Sequence, residues 1–144
     1  MAPKLDKSLI GSEFDHTEFP PVTAEHIREY AAAALETNPR HLTANDAELV
    51  APPTYVVSLR GRHFMPANLQ TVLNIGRRGF DAGKDIECGV PVRVGDALTA
   101  TSTVHDIYEK TGRSGSMVFV VLRTKITNQR GESVAVIDQK MMLR

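Results

Sequence analysis

The chain has 144 residues, with 17 lysines and arginines against 17 aspartates and glutamates. That length suits one domain, 1–144, with a buried core, and the zero formal charge gives no bulk attraction to nucleic acid or an anionic membrane. The single cysteine, Cys88, excludes an internal disulfide and a cysteine-based metal cluster; with no long apolar run and no signal-like start, the expectation is a soluble cytoplasmic protein.

In chain order, Ile10–Pro20 sets Phe14 and Phe19 among polar residues, which suits a short edge strand ending where Pro20 and Pro21 are tolerated. Thr23 is a good N-cap, and Glu25 falls in the first turn, where the helix dipole favours an acid. Ile27, Tyr30, Ala31, Ala34 and Leu35 then lie on one stripe of a helix about three turns long. Asn38-Pro39 ends it, because proline fixes its own φ and pushes the preceding residue out of the helical region. Pro52 and Pro53 can open a second helix, since first-turn N–H groups have no partner inside a helix. The run Tyr55, Val56, Val57, Leu59 reads as helix or strand alike.

From Leu69 onward the period moves toward two. Val72–Gly76 and Asp85–Val90 read as strands, with Gly79 and Gly83 in a turn region between them and Pro91 at a bulge or edge. In Ala97–Tyr108, Leu98, Ala100, Ser102 and Val104 share one face and Thr99, Thr101, Thr103 and His105 the other, as in a half-buried strand. Met117–Thr127 is the strongest strand, and Asn128–Gly131 turns it into Ser133–Leu143. The sum is an α+β domain.

The chemistry-bearing stretch is Leu35–Thr54. Glu36 and His41 bracket the turn-forming Asn38-Pro39. A histidine beside a carboxylate can take a proton near neutral pH and return it, provided both reach one substrate atom directly or through a water. The plainer alternative is that Glu36 ends its helix and His41 makes a structural hydrogen bond.

Glu36-Thr37-Asn38-Pro39-Arg40-His41 resembles the D-x-N-P-x-H signature of the MaoC-like, (R)-specific enoyl-thioester hydratases and dehydratases, with Glu36 where the family has Asp. Ala51-Pro52-Pro53-Thr54 resembles the A-P-P-T-F of that family's N-terminal-domain, FAS1-like dehydratase group, Pro91–Asp96 resembles its P-[LV]-R-x-G-D, and Tyr108–Val120 resembles the strand–loop–strand that follows. Over residues 8–144, these motifs in order are far more specific than any alone.

The resemblance implies a hot dog fold, a curved antiparallel sheet wrapped around a central helix. It implies hydration of a trans-enoyl thioester to an (R)-3-hydroxyacyl thioester, or the reverse, with no cofactor. Glu36 and His41 would hold and activate the water, Asn38 would orient the loop, and the helix start at Pro53 and Thr54 would hold the thioester oxygen. Pro52 and Pro53 stand where the catalytic type usually has His-Gly and have no N–H, so Thr54 carries the first backbone donor. The substrate would be an acyl-CoA or acyl-carrier thioester, and the partner a second hot dog chain, identical or related. A non-catalytic subunit that shelters the acyl chain is the rival reading, and a hot dog thioesterase a third.

Other candidates are weaker. Arg93 and Asp96 suit a strand entry and a turn. The stretch Lys110–Gly115, read as a loop, and Arg60, Arg62, Arg77 and Arg78 could meet phosphates, or simply be solvated. His16, His26, His63 and His105 lack metal-ligand spacing, so no metal site is expected. Cys88 reads as a buried, inert thiol.

Overall fold

The computed structural model describes residues 5–69, 73 and 79–144. Strand β1 (Glu13–Glu18) is followed by helix α1 (Ala24–Ala33), the one-turn helix α2 (Pro39–Leu42) and a 3-10 helix (Pro53–Ser58). Four long strands follow: β2 (Gly79–Cys88), β3 (Thr99–Gly112), β4 (Gly115–Thr127) and β5 (Ser133–Leu143). They form one antiparallel sheet in the order β1-β3-β4-β5-β2, so β1 and β2 are its edges. This is the curved hot dog sheet with the helical segments on its inner face.

The alternation read in β3 decides which side is inner: Ala100, Ser102 and Val104 are buried, while Thr101, Thr103 and His105 are not. β5 does the same with Ala135, Ile137, Gln139, Met141 and Leu143. Two apolar clusters fill that face. One packs Ile27, Leu49, Tyr55 and Val56 against Leu98, Ala100, Ile126 and Ile137. The other packs Leu69 and Leu73 against Val104, Ile107, Val120, Leu122 and Met141. Each fully buried aliphatic side chain contributes about 1.5–3 kcal/mol of transfer free energy, so these clusters drive the sheet to close over the helices.

Several expectations are corrected. Leu35 lies beyond α1, with a φ of 56° and 86% exposure, so it is no part of the buried stripe. Gly79 and Gly83 lie inside β2, not in a turn; the φ of +116° at Gly83 serves a bulge in the pairing with β5. Most of the expected strand Val72–Gly76 lies outside the described residues, as do Arg77 and Arg78; Leu73, which is described, is helical. Lys110 and Thr111 belong to β3, which turns tightly into β4 through Arg113-Ser114. Cys88, expected to be buried, is exposed, because β2 is an edge strand. Asp96 organises turns as expected: it is buried and accepts from the Arg93 N–H (2.8 Å) and from Gln129 Nε2 (3.1 Å).

Candidate active site

The loop carrying Glu36 is fixed first by how α1 ends. The Leu35 N–H donates to the Ala32 carbonyl (3.1 Å) and the Glu36 N–H to the Ala31 carbonyl (2.9 Å), the Schellman pattern that spends the last free carbonyls of a helix. The pattern needs a left-handed residue after the cap, and here that residue is Leu35 rather than glycine. Glu36 then folds back on its own loop: Oε1 accepts from the Thr37 N–H (2.9 Å) and the Asn38 N–H (3.1 Å). These bonds, Asn38 foremost, hold the Glu36 carboxyl below its ordinary range, and the nearby His41 ring acts in the same direction. Oε2 has no hydrogen-bond partner among the described residues.

Asn38 caps α2, its side-chain oxygen accepting from the Arg40 N–H (3.1 Å), and Pro39 takes the first helical position, where a missing N–H costs nothing. One turn is enough to turn His41 inward, where it is 9% exposed. His41 Nδ1 lies 2.8 Å from the Val50 carbonyl oxygen. A carbonyl only accepts, so Nδ1 carries the proton, and in the neutral ring Nε2 holds the free lone pair. The Val50 N–H donates to the Arg40 carbonyl (3.1 Å), so residues 40–41 and Val50 are tied in both directions.

His41 lines a cavity of about 200 Å³ together with Asn38, Pro52 and Pro53 on one side and Cys88, Gly89 and Val92 on the other. Of the five residues expected at the site, the structure thus brings Asn38, His41 and Pro53 to one wall. Glu36 and Thr54 are not among the lining residues. Thr54 stands next to Pro53 at the start of the 3-10 helix, its hydroxyl accepting from Tyr30 (2.9 Å), and its N–H makes no backbone hydrogen bond among the described residues. Tyr30 also packs edge-on against Tyr55, ring centres 5.5 Å apart, which couples α1 to the 3-10 helix.

The far wall, Cys88 to Val92, is not marked as part of the site by the sequence. Its signal was partly present: the proline of the P-[LV]-R-x-G-D motif is Pro91, which lines the cavity. Gly89 carries no such signal, yet a Cβ there would overlap the Ser133 carbonyl oxygen. Among the described residues, no group of three His, Cys, Asp or Glu side chains is placed to hold a metal ion, and no helix is long and apolar enough to cross a membrane.

Comparison with known proteins agrees with this architecture. The family model described as "FAS1-like, dehydratase domain region" matches residues 8–137. A UPF0336 protein of Streptomyces coelicolor is 30% identical, covering 97% of this chain and 95% of its own. Among solved structures, the HadBC (3R-hydroxyacyl-ACP dehydratase) complex of Mycobacterium tuberculosis matches with a TM-score of 0.69 at 24% identity, over 94% of this chain and 98% of that one. The MaoC-like dehydratase of Rhodospirillum rubrum gives 0.65 at 23% identity, over 93% and 91%. With the family model spanning nearly the whole chain, this chain belongs to the FAS1-like dehydratase-region family, and its sheet has the fold of the MaoC-like dehydratase and HadBC structures it matches.

Proposed function

We propose that this chain is a cofactor-free hydro-lyase that adds water across the double bond of a trans-enoyl thioester, coenzyme A or carrier-bound, to give the (R)-3-hydroxyacyl thioester, and catalyses the reverse. The observation that carries this reading is His41: buried, pinned through Nδ1–H to the Val50 carbonyl so that Nε2 keeps the lone pair, and lining a cavity together with Asn38 and Pro53. In the forward direction Nε2 takes a proton from water held with Glu36, the oxygen bonds to the third carbon, and a proton is returned to the second carbon. The charge that builds on the thioester oxygen needs a fixed donor, and the Thr54 N–H is the first available at the helix start.

A second reading has its own support. All ten residues of the edge strand β2 are exposed, including Phe80 (46%) and Ile86 (36%), and a long exposed edge invites pairing with another strand. The HadBC structure is that of a complex, and a chain of it shares this fold. On this reading the chain pairs with a related hot dog chain and shelters the acyl group while its partner does the chemistry. Glu36 lying off the cavity wall favours it; His41 on that wall favours the first.

Purified chain incubated with crotonyl-CoA and longer enoyl-CoAs, followed as loss of enoyl-thioester absorbance, separates the two. Hydration that disappears in His41→Ala and Glu36→Gln establishes the enzyme. Inactivity at every chain length, relieved only by co-expression with a related chain, establishes the partner role.

A further inference from the structure

Behind the 3-10 helix lies a second cavity, about 590 Å³, between the loop Leu59–Phe64 and the inner face of the sheet. Small-molecule sites commonly run to roughly 300–1,000 Å³. Opposite the loop, the sheet supplies Ala100, Ser102, Leu122, Ile137 and Gln139. What holds the loop over this space differs from what holds the rest of the fold. Among the described residues, no main-chain group of residues 60–65 is hydrogen-bonded to another main-chain group. Arg60 to Phe64 are all exposed, Phe64 at 66%, so no buried apolar side chain anchors that stretch. The packed positions lie at its two ends, Leu59 against the first apolar cluster and Met65 against the second.

Between those ends the loop hangs on β1. Asp15 and Thr17 lie opposite Ser102 and Ala100 in the pairing with β3, so both turn to the inner face, and they are the two buried residues of that strand. Inner positions ordinarily carry apolar side chains. Here both are polar, and both are spent on the loop. Thr17 Oγ1 accepts from the Arg62 N–H (3.3 Å), while Asp15 Oδ1 accepts from the His63 N–H (2.9 Å) and lies 3.1 Å from His63 Nδ1. The Thr17 hydroxyl itself donates to Asp15 Oδ2 (2.8 Å). Gly61 lies flat against this pair, since a Cβ there would overlap Asp15 Oδ2, so loop and strand meet without interlocking. Such a contact is cheap to undo. Apolar side chains drawn from a core expose their surface to water, whereas N–H groups that leave a carboxylate and a hydroxyl exchange those partners for water, and each bond contributes little net. The loop can part from β1 while both its ends stay packed, a local opening far easier than unfolding.

We propose that Leu59–Phe64 is a gate on this cavity and that Asp15 and Thr17 are its clasp: small molecules reach the inner face of the sheet when the Arg62 and His63 N–H groups let go of β1. The inference concerns access and not reaction, so it stands whether or not the chain is a hydratase. The test puts a reporter thiol inside the cavity. Cys88, the single cysteine, is exposed and is removed by Cys88→Ser; Ser102→Cys then places a near-isosteric thiol at a position 6% exposed that lines the cavity. Dithiobis-nitrobenzoate labels it: the thiolate bonds to one sulfur of the reagent, the S–S bond breaks, and the other half leaves as a coloured thiolate that is followed by absorbance. Labelling is much slower than in the urea-unfolded chain and hardly changes in dilute urea, because opening one loop exposes little surface. Adding Thr17→Val speeds it about tenfold, since the Arg62 N–H then has no acceptor in the closed state and still finds water in the open one. Amide hydrogen exchange reads the same motion without a reporter. In the full wild-type chain Arg62 and His63 exchange ahead of Val120 and Leu122 of the central strand β4, and Thr17→Val alone advances the first pair about tenfold. Labelling as fast as in the unfolded chain overturns the proposal, because the cavity would then stand open. So does labelling that follows the full urea slope of unfolding, or a rate and an exchange that Thr17→Val leaves unmoved.

Discussion

The two cavities share Val56 as a wall and are built in opposite ways. The one beside His41 is framed by main chain: the Val50 N–H to the Arg40 carbonyl (3.1 Å), the Ala51 N–H to the Val92 carbonyl (2.9 Å) and the Gly89 N–H to the Val134 carbonyl (2.8 Å). The larger one is roofed by a loop hung from two side chains, Asp15, which accepts from the His63 N–H (2.9 Å), and Thr17, which accepts from the Arg62 N–H (3.3 Å). Backbone pairs hold position to fractions of an ångström, as proton transfer to a bound substrate requires. A carboxylate-tied loop can give way to admit a chain. The difference in construction therefore parallels the proposed division between reaction and accommodation.

The strongest way to break the comparison is at His41. His41→Ala lowers kcat for enoyl-thioester hydration roughly 10²–10⁴-fold, the usual contribution of a positioned general base. The lost Nδ1–H bond to Val50 costs about 1 kcal/mol of stability, so the variant stays folded. A variant that melts lower but hydrates as fast as wild type would reduce His41 to a structural clamp.

Two glycines sharpen it next. At Gly89 a Cβ meets the Ser133 carbonyl of the main chain, which has no room to move because β5 is paired on both sides. Gly89→Ala costs about 3 kcal/mol, at the upper end of overpacking effects. At Gly61 the obstacle is the Asp15 carboxylate, which can swing aside by giving up its bonds to Thr17 and His63, so Gly61→Ala costs about 1–2 kcal/mol. Urea titration of both variants measures the order; the reverse order would mean that the larger cavity has the stiffer frame.

Asp15 gives the comparison a pH axis. Burial raises its carboxyl, but hydrogen bonds from Thr17 and His63 outweigh that and leave it below its ordinary value of 3.8. A depressed carboxyl contributes stability that is complete above the unfolded value and is lost as pH falls through the folded one. The gap in Tm between wild type and Asp15→Asn should thus be constant from pH 7 to about pH 5 and narrow only below 3.8. Main-chain bonds around His41 contribute no such dependence. A gap that narrows already well above 3.8 would show that the folded protein does not hold the Asp15 carboxyl below its ordinary value.

The sequence carried the sheet well, because β3 and β5 alternate apolar and polar residues and β4 is rich in β-branched and aromatic ones. It carried the small cavity in part: Asn38, His41 and Pro53 belong to motifs whose spacing is local. It did not carry the far wall or the larger cavity. Gly89 matters through Ser133, and Gly61 through Asp15, contacts between strands that only the sheet order brings together. Gln139 looks like any polar residue in an alternating strand until its register shows it facing inward. β2 departs from its sequence signal for a related reason: its glycines resemble turn signals, but one serves a bulge.

The smallest effect expected is a gain. Leu35 occupies the left-handed position after α1 at a φ of 56°, a conformation that costs a side chain with a Cβ about 1–2 kcal/mol and glycine almost nothing. Its side chain is 86% exposed, so little packing is lost when it is removed. Glycine's greater freedom in the unfolded chain takes back roughly 0.5–1 kcal/mol. Leu35→Gly therefore stabilises by about 0.5–1 kcal/mol and raises Tm by a few degrees, while the bonds from the Leu35 and Glu36 N–H groups that set the loop are kept. Hydration kinetics stay at the wild-type value if the loop is held by those bonds alone. A loss of activity with a raised Tm would show that Leu35 serves something other than this chain's own fold, and the exposed leucine beside Glu36 would then belong to the surface on which a partner or substrate rests.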